Sequence, residues 1–121
     1  MKLVEITDKS GQKKFIRFRR QLYKANPTFV DNNLFMLKEV FARKTCFIEN
    51  KEISVLTVEE KGEEVCQGII VYAKDLKDYV QLCFFESLPD KEEAVKLLVE
   101  EALGVGKKFG CRKLVIGLNG H

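Results

Sequence analysis

The chain contains 121 residues, of which 45% are hydrophobic and 32% charged, and its formal net charge is +3. This length and balance predict one folded domain and exclude a long disordered segment. No apolar run approaches the roughly 20 residues of a membrane span, and the first residues lack the apolar region of a secretory signal. We therefore expect a single domain, residues 1–121, in the cytoplasm and without a membrane partner.

The charge is unevenly distributed. Residues 1–44 hold 11 lysines and arginines against 4 acidic residues, whereas residues 45–121 hold 10 against 14. A basic first third is compatible with an anion-binding site, and also with the solvated outer face of one helix. A nucleic-acid partner is not expected, because the aromatic side chains of this segment point away from the basic face. That face consists of Lys13, Arg17, Arg20 and Lys24.

The cysteines indicate reduced thiols. Cys46, Cys66, Cys83 and Cys111 are widely spaced, and the single histidine, His121, is the last residue. Zinc ligands normally come in close sequence pairs, so no metal site is expected. A nucleophilic cysteine would have only this one imidazole as a partner. Buried thiols in a cytoplasmic protein are the simpler interpretation.

Periodicity predicts three elements in the first part of the chain. A short strand covers residues 3–6, and Ser10 is a candidate N-cap for the helix that follows. That amphipathic helix covers residues 12–25 and ends at Asn26-Pro27, because the residue before proline avoids the helical region. A second helix is predicted at residues 33–44.

The period then changes to two. Residues 53–60 and 65–73 flank a turn at residues 61–63 and predict an antiparallel hairpin. Residues 79–86 predict a central strand that is covered on both sides. Regular alternation would place Val80, Leu82 and Phe84 on one face of this strand and Cys83 and Phe85 on the other.

A long helix and a last strand complete the pattern. Asp90 and Glu93 have capping-box spacing, the helix runs to residue 109, and Gly110 is its predicted C-cap glycine. The last strand covers residues 113–117, and the long connection predicts a parallel crossover. The glycine-rich segment 104–110 closes a helix instead of opening one, which argues against a phosphate loop.

The order β-α-α-β-β-β-α-β is that of the GNAT superfamily of acyl-CoA-dependent N-acyltransferases, up to its fifth strand. Four segments resemble one bacterial branch of it. The first is a Phe-rich helix followed by Asn-Pro, and the second is a third strand that starts with glycine. The third is a Phe-Phe-Glu segment that leads into an acidic loop and a helix ending in glycine, and the fourth is a closing Gly-x-Asn. Here they are Phe15–Pro27, Gly68–Val71, Phe84–Gly110 and Gly117–Asn119, with Leu118 where the branch has proline. The resemblance implies an α/β (α+β) fold with a GNAT-like mixed sheet and helices on both faces, which in this chain would be truncated after strand five.

The resemblance also implies a site at the end of the fourth strand. A glutamate near this place can be the general base of GNAT enzymes, which would be Glu86. The alternative is a strand-end carboxylate that faces solvent or a lysine. The strand-four backbone pairs with the pantetheine arm of acetyl-CoA in the family, although aromatic residues there are also ordinary core. The implied cofactor-binding residues are Phe84, Phe85, Ser87 and Leu88.

Asn119 and His121 follow strand five, on the side where substrates enter in the family, although they could be frayed terminal residues. Two departures bear on activity. The turn at residues 87–93 lacks the glycines that bind the CoA pyrophosphate, and its carboxylates repel an anion. GNAT domains also continue beyond strand five, and the acid-donating tyrosine usually lies there. The chain thus resembles an incomplete domain, or the first part of a longer protein.

Two functions remain open. One is an acyl-CoA-dependent N-acetyltransferase domain that transfers acetyl from acetyl-CoA to an amine, with strand-four N–H groups stabilising the oxyanion. The other is a non-catalytic, degenerate GNAT-like domain with a structural or dimerisation role. The acidic turn favours the second for these residues alone, and the fold analogy favours the first for a longer parent. An exposed edge of strand five predicts a homodimer.

Overall fold

The computed structural model describes residues 1–22, 51–73 and 78–116, which form a five-stranded mixed sheet with a helix on each face. The predicted helix at residues 33–44 lies outside the described residues. In chain order the elements are β1 (Lys2–Glu5), α1 (Lys9–Leu22), β2 (Lys51–Glu60), β3 (Glu63–Ala73), β4 (Tyr79–Ser87), α2 (Glu92–Lys108) and β5 (Lys113–Ile116).

The strands lie in the sheet in the same order as in the chain. The pairs β1–β2, β2–β3 and β3–β4 are antiparallel, and β4–β5 is parallel. This arrangement confirms the predicted hairpin, the central position of β4 and the parallel crossover through α2. The α+β, GNAT-like mixed sheet expected from the sequence is therefore present in the described part of the chain.

Each helix buries a separate apolar cluster against the sheet. On one face, Phe15 of α1 packs with Ile69 and other apolar side chains of β2, β3 and β4. On the opposite face, Leu98 of α2 packs with Leu82 and most of the remaining core. Both faces of the middle strands are thus covered, which explains why β3 and β4 are apolar almost throughout. Phe15, Ile69, Leu82 and Leu98 are fully buried.

The start of α1 differs from the prediction. Asp8, not Ser10, caps the helix, because the Gly11 N–H donates to Asp8 Oδ1 at 2.7 Å. The helix consequently begins at Lys9, and Ser10 lies in its first turn. Both residue types cap helices, and the sequence offered both within three positions. The predicted basic face is confirmed for Lys13, Arg17 and Arg20, which are exposed, while Lys24 lies outside the described residues.

The two ends of α2 also differ in how well they were predicted. The capping box is wrong, because the N-cap is Lys91 and no side chain caps it, while Asp90 has φ of +58°. The C-terminal glycine is confirmed. Gly110 has φ of +74°, its N–H donates to the Lys107 carbonyl, and the Cys111 N–H donates to the Gly106 carbonyl. These are the two hydrogen bonds of a Schellman motif. Neither α1 nor α2 is long and apolar enough to cross a membrane.

Candidate functional site

A bulge interrupts β4 near its C-terminal end. Gln67 pairs with Glu86 and Ile69 pairs with Cys83, so Phe84 and Phe85 together lie opposite the single residue between them on β3. Phe84 has φ of +50°, a left-handed conformation that is rare for a bulky side chain. The bulge is therefore a strained feature at the place where the sequence predicted a site.

The bulge corrects the predicted faces of β4. Regular alternation would put Phe84 beside Leu82 and Phe85 beside Cys83. In the structure Phe84 and Cys83 both pack in the α1 cluster, while Phe85 packs against the α2 cluster. The extra residue of a bulge shifts the alternation by one position, and this shift cannot be read from an apolar run that is buried on both sides.

A glycine lies opposite the bulge. A Cβ on Gly68 would lie 2.8 Å from Leu82 Cδ1 and 3.1 Å from Leu98 Cδ2. Both contacts are closer than ordinary packing allows, so the α2 side of the sheet is filled at this point. The glycine that starts the family-like segment thus has a structural reason to be there: it allows close packing beside a strained strand.

The described part of β5 pairs with the first half of β4. Their pairing runs from Tyr79 with Lys113 to Leu82 with Ile116. The second half of β4, which contains the bulge, lies beyond the last described residue of β5. At the bulge the ladder between β3 and β4 is disrupted, and the extra residue is left unpaired. An extended ligand with amide groups could pair with this edge of β4 as an additional strand does.

Glu86 is buried in an ion pair with Arg19 of α1. Arg19 Nη1 donates to Glu86 Oε1 at 3.1 Å, and the two side chains are only 5% and 7% exposed. The same guanidinium lies over the Phe84 ring, 5.8 Å from its centroid. The sequence predicts that Glu86 is either a general base or a strand-end carboxylate that faces solvent or a lysine. The structure instead pairs this carboxylate with a buried arginine.

A second polar contact joins α1 to the sheet beside the bulge. Gln67, which is fully buried, donates from Nε2 to the Phe15 carbonyl at 3.0 Å. Gln67 is also the cross-strand partner of Glu86. Two neighbouring side chains of the sheet therefore contact α1. Gln67 of β3 binds the backbone of the helix, and Glu86 of β4 binds its Arg19 side chain.

The turn after β4 is acidic in the structure as in the sequence. Asp90, Glu92 and Glu93 are exposed around the start of α2, and the neighbouring cation, Lys91, donates to Glu60 Oε2 at 3.0 Å. The positive end of the helix dipole suits these carboxylates, but together they repel a pyrophosphate. The described turn therefore does not suit a ligand that carries a pyrophosphate.

A cavity of about 570 Å³ lies beside α1, away from β4. Its walls come from β1, α1 and the β2–β3 hairpin, and they carry Lys14, Glu59 and Glu64. Burial, together with the Glu59 carboxylate opposite, raises the pKa of Glu64 to about 8. No grouping of His, Cys, Asp and Glu suited to a metal ion occurs within residues 1–22, 51–73 and 78–116.

The thiols show no sign of nucleophilic activation. Burial raises the pKa of the Cys66 thiol to about 11. Cys83 is buried and donates from Sγ to the Ile69 carbonyl at 3.4 Å. A nucleophilic thiol would instead need a lowered pKa. The described cysteines are therefore part of the packing, as expected from the sequence.

The structure brings only some of the predicted site residues together. Phe84 and Glu86 lie side by side at the bulge, while Phe85 packs on the other face and Ser87 and Leu88 follow, half-buried. Asn119 and His121 lie outside the described residues. The sequence analysis missed Arg19 and Gln67. Arg19 carried a usable signal, because it follows the buried Phe15 and Phe18 and departs from the otherwise exposed basic face.

Comparison with known proteins identifies the fold only. No protein-family model matches the chain, and no curated protein matches it. Among solved structures it is similar to one named "Putative acetyltransferase from Agrobacterium tumefaciens str. C58", with a TM-score of 0.60 and 12% sequence identity over 96% of this chain and 80% of that one. The fold of this chain is thus acetyltransferase-like.

Proposed function

We propose that the chain is an acyl-CoA-dependent N-acetyltransferase-like domain that binds acetyl-CoA along the second half of β4. The observation that carries the proposal is the Phe84 bulge, which disrupts the β3–β4 ladder near the end of β4. The acetyltransferase-like fold supports it. A cytoplasmic location, expected from the sequence, is part of this proposal.

The chemistry would be direct transfer of acetyl to an amine. Acetyl-CoA would supply a thioester carbonyl; its C–S bond would break as the C–N bond to the amine forms, and the CoA thiolate would leave and take up a proton from solvent. Backbone N–H groups of β4 near the bulge would stabilise the charge that develops on the carbonyl oxygen. Glu86 is the candidate acceptor of the amine proton. For this role it would have to act while held by Arg19.

The alternative is a non-catalytic domain of the same fold. Specific observations favour it: the exposed carboxylates at the start of α2, and the engagement of Glu86 in a buried ion pair. In that case the β4 bulge has only a structural role.

Thermal unfolding with acetyl-CoA, CoA and S-acetyl-pantetheine tests the proposal. A ligand at 100 times its Kd stabilises the folded state by about 2.7 kcal/mol, which is several degrees for a domain of this size. We expect all three ligands to raise the melting temperature, since all three carry the pantetheine arm proposed to bind β4. A flat response to all three ligands would support the non-catalytic alternative.

Neutralising the turn separates the two halves of the cofactor. The triple variant Asp90→Asn, Glu92→Gln, Glu93→Gln changes only exposed side chains. It should bind acetyl-CoA more tightly than the wild type and leave the response to S-acetyl-pantetheine unchanged, because only the former carries phosphates. The matched control is Glu100→Gln with Glu101→Gln, farther along α2 and also exposed.

A further inference from the structure

We infer that Arg19 is a positioning residue for the acyl-CoA site: from α1 it holds Glu86 and the Phe84 ring, and thereby imposes the backbone conformation of the β4 bulge. The inference rests on the proposed function for its consequence, which is cofactor affinity. Its structural part, that α1 restrains the bulge through Arg19, can be tested without any ligand.

The contacts of Arg19 span the bulge. Its Nη1 atom lies 3.1 Å from Glu86 Oε1, just after the bulge. The same guanidinium lies over the ring of Phe84, the first residue of the bulge. A guanidinium group has several donors, so it can pair with a carboxylate while it lies over an aromatic ring. One side chain from α1 therefore fixes two residues of β4 at once.

The strained conformation needs such a restraint. A bulky residue in the left-handed region is strained and persists only where surrounding contacts determine it. The Phe84 ring is buried among apolar side chains, but packing is non-directional and a regular strand would also bury an aromatic ring. The ion pair is directional, and it fixes where Glu86 must lie relative to α1.

Arg19 is not needed merely to dock the helix. Phe15 and Phe18 already bury the apolar side of α1, and Gln67 binds its backbone. The neighbouring cations Arg17 and Arg20 are exposed. The one arginine that α1 buries in the described part of the chain is the one at the bulge. Burial of a charged guanidinium costs free energy unless the charge is paired. The pairing of Arg19 with Glu86 at the bulge gives this buried charge a specific role in the site.

Amide hydrogen exchange and acetyl-CoA titration of Arg19→Met test the inference. In this variant we expect the amides of residues 83–87 to exchange faster than in the wild type. The increase should be larger there than at the centre of β2 and β3. We also expect the Kd for acetyl-CoA to rise about tenfold, equivalent to about 1.4 kcal/mol. Arg20→Met, an exposed arginine on the same helix, is the matched control and should change neither quantity.

Loss of stability alone must be distinguished from loss of positioning. Tyr72→Leu removes the stacking of Tyr72 on Phe109 in the α2 cluster, at the end of β3 farther from the bulge. It should lower the melting temperature. Exchange at residues 83–87, relative to the β2–β3 amides, should stay as in the wild type. The Kd for acetyl-CoA, measured below the melting temperature, should also stay as in the wild type. If Arg19→Met does not fold, Arg19→Lys and Glu86→Gln replace it, since each keeps one hydrogen bond and should give intermediate effects.

The outcomes separate the inference from the proposed function. Wild-type exchange at residues 83–87 in Arg19→Met, or in both conservative variants if Arg19→Met does not fold, would overturn the inference. An unchanged Kd would overturn it as well. If the wild type binds no acetyl-CoA, the proposed function fails, and the exchange data alone decide whether Arg19 restrains the bulge.

Discussion

Glu64 is the residue whose ionisation the fold opposes most clearly. Burial and the facing Glu59 raise its pKa to about 8 from 4.5, and nearby Lys14 offsets this only in part. Its Oε2 atom is buried and receives no hydrogen bond from the described residues. Between these two pKa values the folded chain binds more protons than the unfolded chain does. The contribution of Glu64 to stability therefore falls as pH rises through this window.

Glu64→Gln should remove that contribution to the pH dependence. The free energy of unfolding, measured by urea denaturation at pH 4.5 and pH 8, should differ less in the variant than in the wild type. The variant should be the more stable protein at pH 8, because the unfavourable buried charge is gone. Glu63→Gln, at the exposed neighbouring position, is the control. An equal pH dependence in wild type and Glu64→Gln would contradict the assignment.

Lys61 has a left-handed backbone conformation in the β2–β3 turn, which asparagine adopts more readily than lysine. Lys61 and Gly62 have φ of +55° and +82°, the pattern of a type I′ hairpin turn. Asn-Gly is the preferred sequence for such turns, whereas lysine resists the left-handed region. Lys61→Asn should therefore raise the free energy of unfolding by about 1 kcal/mol. Urea denaturation measures it, with Lys61→Val as a control that should destabilise the protein.

At the scale of elements, α2 contains two glycines with opposite roles. A Cβ on Gly104 would meet nothing within 4 Å, whereas one on Gly106 would lie 3.1 Å from Val80 Cγ1. Gly104→Ala should stabilise the protein by about 1 kcal/mol, since alanine favours a helix over glycine by that amount. Gly106→Ala should gain less or lose stability. Equal thermal shifts for the two variants would show that packing against Val80 does not distinguish them.

The elements were largely predictable, and the site was not. The strands, the turn at Lys61-Gly62 and the stripe of α2 follow from local periodicity and turn chemistry, which the described structure confirms. The bulge depends on the register between β3 and β4, and the ion pair joins residues 67 positions apart. Such features arise from tertiary packing, and one sequence alone gives no measure of it.

At the scale of the whole molecule, β5 is the outer strand of the described sheet beside β4. Val115 is 38% and Ile116 54% exposed, an apolar edge suited to pairing with a second copy. We propose a homodimer through this edge. Light scattering should give twice the monomer mass, and Val115→Lys with Ile116→Lys should give the monomer. Leu103→Lys, on α2, should leave the dimer intact. A monomeric wild type at millimolar concentration would contradict the proposal.

The order of the strands has a consequence for how the protein folds. β2, β3 and β4 are close in sequence, whereas residues 6–50 separate β1 from its partner β2. Local contacts form fastest, so we expect the β2–β3–β4 meander in the transition state and α1 to dock afterwards. Arg19→Met should then refold at the wild-type rate and unfold faster. A refolding chain would pass through a state with a regular β4, and the bulge would be acquired only when the helix arrives.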